Sequence, residues 1–227
     1  MTGQPQSMKT RLIQDVAEVK ADQLRLLLIT DLKDVPRDRH LDTVEAALKG
    51  GVRDLQLREK DLPLRDLFSL AVALRQLTSH YGARLYINDR VDVALMVQAD
   101  GVHLPEAGLP AGEVKARYPQ LLVGVSTHSL ESAVQAQEDG ADYITFSPIY
   151  DTPSKRQYGA PQGVDALKEV AGRVNLPVLA LGGINLERIP EVMRAGAHGA
   201  ALIRGIWNST HIENASSKYI QAIKGES

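Results

Sequence analysis

Arg84-Leu85-Tyr86-Ile87-Asn88-Asp89-Arg90-Val91-Asp92-Val93-Ala94-Leu95-Met96-Val97-Gln98-Ala99-Asp100-Gly101-Val102-His103-Leu104 reads as one strand–helix–strand unit. A short β-rich apolar run, Arg84–Asn88, gives way to a helix-compatible stretch. The punctuation Ala99-Asp100-Gly101-Val102 then stops the helix and turns the chain back into a second run, Gly101–Leu104.

The same alternation extends in both directions. Strand-like runs occur at Leu24–Asp31 and Arg53–Lys60 before this unit, and at Leu121–Ser126, Asp142–Ser147, Pro177–Leu181 and Gly199–Ile203 after it. That makes eight, with a helix-compatible segment after each, as βαβ units with a parallel sheet require. Leu64, Leu67, Phe68, Ala71 and Leu74, for example, recur at helical spacing. Similar punctuation precedes the second, sixth and eighth runs at Gly50-Gly51-Val52, Gly140-Ala141-Asp142-Tyr143 and Gly196-Ala197-His198-Gly199. Open doubly wound sheets stop their helices in the same way, so the strand count carries the assignment and the punctuation supports it. The expected fold is α/β: a single (β/α)8 TIM barrel over residues 24–227 with a short N-terminal extension, residues 1–23. Met8–Lys20 reads as an amphipathic helix of that extension, and Pro148–Gln162 as a long functional loop.

Composition narrows the function. At 227 residues the chain suits one α/β barrel, a fold of typically about 250 residues. It contains no cysteine, which excludes disulfides, zinc–thiolate sites and thiol nucleophiles. A formal charge of −2 and a pI near 6.3 offer no general attraction for nucleic acid or anionic lipid. Neither a membrane-spanning run nor an apolar signal core is present, so a cytoplasmic enzyme is expected.

In such a barrel the polar residues to weigh are those at the carboxyl ends of the strands. Period two puts Gln56, Arg58 and Lys60 on one face of the second run. Two cations on one face of a doubly buried strand need a partner. Either they hold an anion, Arg58 bidentately and Lys60 as a point charge, or they join an internal network with strand-end acids. Asn88-Asp89 ends the third run; Asp89 is either a helix N-cap or a ligand holding Mg2+ on a pyrophosphate. After the fifth run, Ser126 should point into the mouth, His128 is a general acid/base candidate, and Ser129 suits a helix N-cap. His103 reads as a satisfied barrel histidine. Asp151-Thr152-Pro153-Ser154-Lys155 has the composition of a phosphate clamp or of a solvated turn. Gly182-Gly183 and Arg204-Gly205, after the seventh and eighth runs, expose backbone N–H groups where barrels commonly hold phosphate. No G-x-x-x-x-G-K-[ST] loop occurs, which disfavours a kinase.

Six motifs in order resemble the thiamine phosphate synthase/TenI family: Gln56-Leu57-Arg58-Glu59-Lys60, Ile87-Asn88-Asp89-Arg90, Ala99–Leu104, Gly124-Val125-Ser126-Thr127-His128-Ser129, Thr152-Pro153-Ser154-Lys155 and Gly182-Gly183-Ile184. The resemblance covers about Leu26 to Trp207. It implies an enzyme that joins hydroxymethylpyrimidine pyrophosphate to thiazole phosphate and releases pyrophosphate. Gln56, Arg58, Lys60, Asn88, Thr152, Ser154 and Lys155 would hold the pyrimidine pyrophosphate, and Asp89 its Mg2+. Gly182, Gly183, Ile203 and Arg204 would hold the thiazole phosphate, with Ser126, His128 and Lys155 as catalytic candidates. The implied partners are small phosphorylated molecules, without nucleic acid or membrane; a homodimer is compatible.

Two positions depart from the family pattern. Family synthases carry a second Mg2+ ligand, an Asp, where this chain has Gly108; Glu106 stands two residues away. An eighth-strand Ser is replaced by Arg204. Loss of the Asp is typical of the TenI branch, a metal-free thiazole tautomerase in which the histidine matching His128 shuttles a proton. Retention of Asn88-Asp89, Lys60 and the Thr-Pro-Ser-Lys clamp favours the synthase. A non-catalytic phosphate-binding barrel is a third reading, supported by Arg204 alone. If the missing carboxylate is the only defect, Gly108→Asp should raise synthase activity.

Overall fold

The computed structural model describes residues 21–33, 35–152 and 160–225. The helix expected at Met8–Lys20 lies outside the described residues. Eight parallel strands close in sequence order into a barrel: β1 (Leu26–Ile29), β2 (Asp54–Leu57), β3 (Arg84–Asn88), β4 (Gly101–Leu104), β5 (Leu122–Thr127), β6 (Tyr143–Phe146), β7 (Val178–Leu181) and β8 (Gly199–Leu202). The helices among the described residues are α1 (His40–Lys49), α2 (Leu64–His80), α3 (Val91–Met96), α4 (Ala111–Arg117), α5 (Leu130–Glu138), α6 (Gly163–Arg173), α7 (Ile189–Arg194), α8 (Arg204–Trp207) and α9 (Ile212–Lys224). No helix among the described residues is long and apolar enough to cross a membrane.

All eight expected runs form strands, and most of the ladders are shorter than the runs. On β2 the ladder ends at Leu57, so Arg58, Glu59 and Lys60 follow it at the carboxyl end of the strand. Alternation along the strands divides the molecule into two apolar regions. Outward residues such as Leu28, Leu55, Leu85, Val102, Val123, Ile144 and Leu202 pack beneath the helices. Inward residues Leu27, Ile29, Tyr86, Leu122, Tyr143, Leu179 and Ala201 fill the barrel. Leu24, just before β1, joins this inner cluster, and the backbone of Asp22 accepts a bond from His198 (2.8 Å). The last residues of the extension therefore close the amino end of the barrel.

The inner wall also carries polar groups. Near the amino end, Arg84 Nε meets Asp54 Oδ1 at 2.5 Å, and the Tyr86 hydroxyl donates to the same oxygen at 3.2 Å. Burial pushes the Asp54 carboxyl above its usual range, opposed by Arg84 and Tyr86. Two glycines make room for the inner tyrosines: Gly101 is the register partner of Tyr86, and Gly124 of Tyr143. Each ring lies over the strand neighbour that has no side chain.

Candidate active site

The mouth is built first from the end of β2. Gln56 is buried inside the barrel, and its Nε2 donates to Asn88 Oδ1 at 3.1 Å. Its Oε1 is buried and has no partner among the described residues. Such an acceptor is costly unless a ligand fills it. The Arg58 backbone N–H is tied to Thr30 Oγ1 at 2.9 Å, which fixes where its side chain leaves the strand. Glu59, on the opposite face, accepts from the Leu32 N–H at 3.1 Å and faces away. Among the described residues no carboxylate forms an ion pair with Arg58 or Lys60. The internal acid network that the sequence left open is therefore absent among the described residues, where Arg58 and Lys60 follow the carboxyl end of β2 without an ion-pair partner.

Asp89 follows β3 in the left-handed region, φ 63°. The N-cap of α3 is Arg90 without a side-chain cap, so Asp89 is not spent as a cap. Its backbone N–H donates to the His103 carbonyl at 2.9 Å, which holds the exposed carboxylate at the rim between β3 and β4. Among the described residues no group of three or more acidic or histidine side chains converges on one point. Mg2+ is commonly held by one or two carboxylates with substrate phosphates and water completing its shell. The residues present fit a metal carried in with a phosphorylated substrate, and do not form a preformed cage.

The carboxylate after β4 is already engaged. His128 Nδ1 and Glu106 Oε2 form a close pair, each about two-fifths exposed. Ser129 caps α5 in a reciprocal bond with Ser132, as its position suggested, and this anchors the turn that carries His128. Gly108 closes a tight turn by donating its N–H to the Pro105 carbonyl at 2.8 Å. A Cβ at this position would stand 2.8 Å from Pro105 Cδ and 2.9 Å from its carbonyl oxygen. The expected gain from Gly108→Asp is thus opposed by the fold of the loop. That variant should lose about 1–3 kcal/mol of stability through overpacking, with little gain in Mg2+ affinity. Adding Pro105→Ala removes two of the obstructing atoms and should recover part of the loss in urea denaturation. A Gly108→Asp protein as stable as its parent would show that the turn relaxes freely.

The opposite side of the mouth is largely backbone. Gly182 and Gly183 have φ of +99° and +67°. A Cβ on Gly182 would lie 2.8 Å from Pro148 Cα, and one on Gly183 2.8 Å from Tyr150 Cβ. The loop after β6 runs alongside, with Tyr150 N–H donating to the Gly182 carbonyl at 3.1 Å. The glycine pair thus has a packing reason of its own, and tight packing alone accounts for both residues. Ile203 precedes α8, whose first N–H groups have no acceptor among the described residues. The Arg204 guanidinium leans toward Asp31 at the end of β1, 3.9 Å away and half exposed, a pair that contributes little. Thr152 turns its hydroxyl back to the Tyr150 carbonyl at 3.0 Å. Ser154 and Lys155 lie outside the described residues.

Beneath the mouth, His103 is wholly enclosed. Its Nδ1 is 3.1 Å from the Tyr143 hydroxyl; its Nε2 is 3.0 Å from Ser126 Oγ and 3.3 Å from Thr145 Oγ1. Burial, with a smaller contribution from the Arg58 charge, lowers its pKa to about 3, so the ring is neutral. The sequence identified His103 as a satisfied barrel residue but gave no sign of Tyr143 or Thr145, whose inward direction depends on strand register.

Comparison with known proteins adds a further line of evidence. The family model described as thiamine monophosphate synthase matches residues 26–206. A relative in Geobacter sulfurreducens, named provisionally as a thiamine-phosphate synthase, is 52% identical over 182 residues, covering 80% of this chain and 85% of its own. The thiamine-phosphate synthase of Roseiflexus sp. (strain RS-1) is 40% identical over 213 residues, 90% of each chain. The solved structure of thiamine phosphate pyrophosphorylase from Pyrococcus furiosus superposes with a TM-score of 0.83 at 33% identity, covering 91% of this chain and 98% of that one.

Proposed function

The chain belongs to the thiamine monophosphate synthase family, and we propose that it is a thiamine-phosphate synthase: a transferase that joins hydroxymethylpyrimidine pyrophosphate to thiazole phosphate and releases pyrophosphate. The observation that carries the reading at this site is the buried Gln56 Oε1, which has no partner among the described residues, on the strand followed by Arg58 and Lys60, which have no ion-pair partner there either. A pyrophosphate would supply the missing anion, and a hydrogen-bond donor on the pyrimidine would satisfy the buried oxygen. Asn88, already fixed by Gln56, would orient the same substrate. Thr152, Ser154 and Lys155 would approach from the loop after β6. Gly182, Gly183, Ile203 and Arg204 would receive the thiazole phosphate through backbone N–H groups, across the mouth from the cations.

Asp89 would hold Mg2+, which when bound neutralises charge on the departing pyrophosphate. Arg58 and Lys60 would do the same from the protein side, as fixed charges aimed at the departing group. In this reading the thiazole nitrogen would capture the pyrimidine carbon as pyrophosphate leaves. A second reading is favoured by one feature, the Glu106–His128 pair, which is arranged for proton transfer and would suit a tautomerase acting on a thiazole carboxylate phosphate.

Incubation with both substrates and Mg2+ separates the two. Thiamine phosphate should form only with the metal, and Asp89→Ala should reduce kcat/KM by about 100-fold, the usual scale for losing one electrostatic group. Absence of thiamine phosphate, together with tautomer conversion that disappears in His128→Gln, would overturn the synthase reading.

A further inference from the structure

Three hydroxyls surround the buried imidazole, and their protons cannot all be placed at will. Tyr143 is fully buried, and its hydroxyl has one acceptor among the described residues, His103 Nδ1. If Nδ1 carried the proton instead, the phenol hydrogen would be orphaned in the interior, at a cost of about 1–3 kcal/mol. Phenol is also a stronger donor and a weaker acceptor than an alcohol. Tyr143 therefore donates to Nδ1, which leaves the proton of the neutral ring on Nε2. That N–H points at Ser126 Oγ (3.0 Å), with Thr145 Oγ1 (3.3 Å) as a second acceptor. With its lone pair engaged, the half-buried Ser126 turns its own hydrogen toward the mouth.

We infer that Tyr143 and His103 are positioning residues that hold Ser126 as a hydrogen-bond donor toward the anion gathered by Arg58. The neighbouring backbone is shaped around this chain. A Cβ at Gly124 would stand 2.5 Å from the Tyr143 hydroxyl and 2.6 Å from His103 Nδ1. Glycine is needed where the phenol and the imidazole meet. The Arg58 charge acts on the same histidine, and a fixed cation together with a hydroxyl donor suits a phosphate or pyrophosphate. The identity of that anion rests on the proposed reaction; the order of protons does not.

Nitrogen-15 spectra of the histidine-labelled protein, with His103 assigned by its loss in His103→Gln, should show a neutral Nε2–H tautomer near neutral pH. An Nδ1–H tautomer or a charged ring would overturn the inference. Calorimetric titration with Mg2+ and inorganic pyrophosphate tests its consequence without turnover. Ser126→Ala and Tyr143→Phe should each weaken binding about 10- to 100-fold, the scale of one hydrogen bond to a charged group. The double variant should be no weaker than Ser126→Ala alone. Independent, additive losses, or unchanged affinity in both single variants, would overturn it. Pyrophosphate binding that follows this pattern in a protein making no thiamine phosphate would remove the synthase reading and leave the proton order standing.

Discussion

Gly124→Ala should destabilise the protein by about 4 kcal/mol, beyond the usual range of about 1–3 kcal/mol for an added methylene in a packed core. The added carbon would stand 2.2 Å from Tyr143 Cζ, well inside van der Waals contact. Relief requires the ring to move, and the surroundings resist this. Tyr143 is wholly buried, its ring lies edge-on to Tyr86 at 5.8 Å, and its hydroxyl is tied to His103. Movement of the strand would open one of the ladders of a closed barrel, since Gly124 and Tyr143 are direct partners between β5 and β6. The loss would be read as a lower urea midpoint with an unchanged slope. Replacing Tyr143 with leucine in the same protein shortens the ring side and should recover part of it. A Gly124→Ala midpoint equal to that of the parent would mean that the barrel interior yields more readily than its packing implies.

The reason this glycine is hard to recognise in the sequence applies to much of the site. Gly124-Val125-Ser126 looks like one more small-residue strand, and only the pairing of β5 with β6 brings Tyr143 across from it. Strand existence was legible because apolar runs, helical spacing and recurrent glycines are local properties. Strand ends were less so. Arg58 and Lys60 fell within the expected run, yet the ladder stops at Leu57, so both residues follow the strand at its carboxyl end. Partnerships across loops were not legible at all. Glu106 and His128 meet from the ends of β4 and β5, and Asp31 faces Arg204 because closure makes β1 and β8 neighbours. The Gly182-Gly183 pair shows the opposite difficulty. Its sequence suggests phosphate binding, but positive φ and the adjoining Pro148 and Tyr150 require glycine with or without a ligand. Residue type identified the chemistry available, and register determined which groups share a site.

Arg58→Ala should lower kcat/KM for thiamine phosphate formation by about 100- to 1000-fold, the scale of removing a charge-assisted, bidentate contact to a phosphate group. Stability should change little or rise, because no carboxylate among the described residues loses its partner. This combination distinguishes a ligand-binding arginine from a structural one such as Arg84, whose removal would strand the buried Asp54 and cost about 3–5 kcal/mol. Arg58→Lys should restore only part of the rate, since an ammonium supplies charge without the planar pair of donors. Pyrophosphate protection against heating gives a parallel readout. At about 100 times its Kd a ligand adds about 2.7 kcal/mol to the native state, and Arg58→Ala should lose most of that shift at the same concentration. Arg58→Ala with undiminished kcat/KM and full protection by pyrophosphate would move the anion away from β2, and the assignment of the mouth into a pyrophosphate side and a thiazole-phosphate side would fail with it.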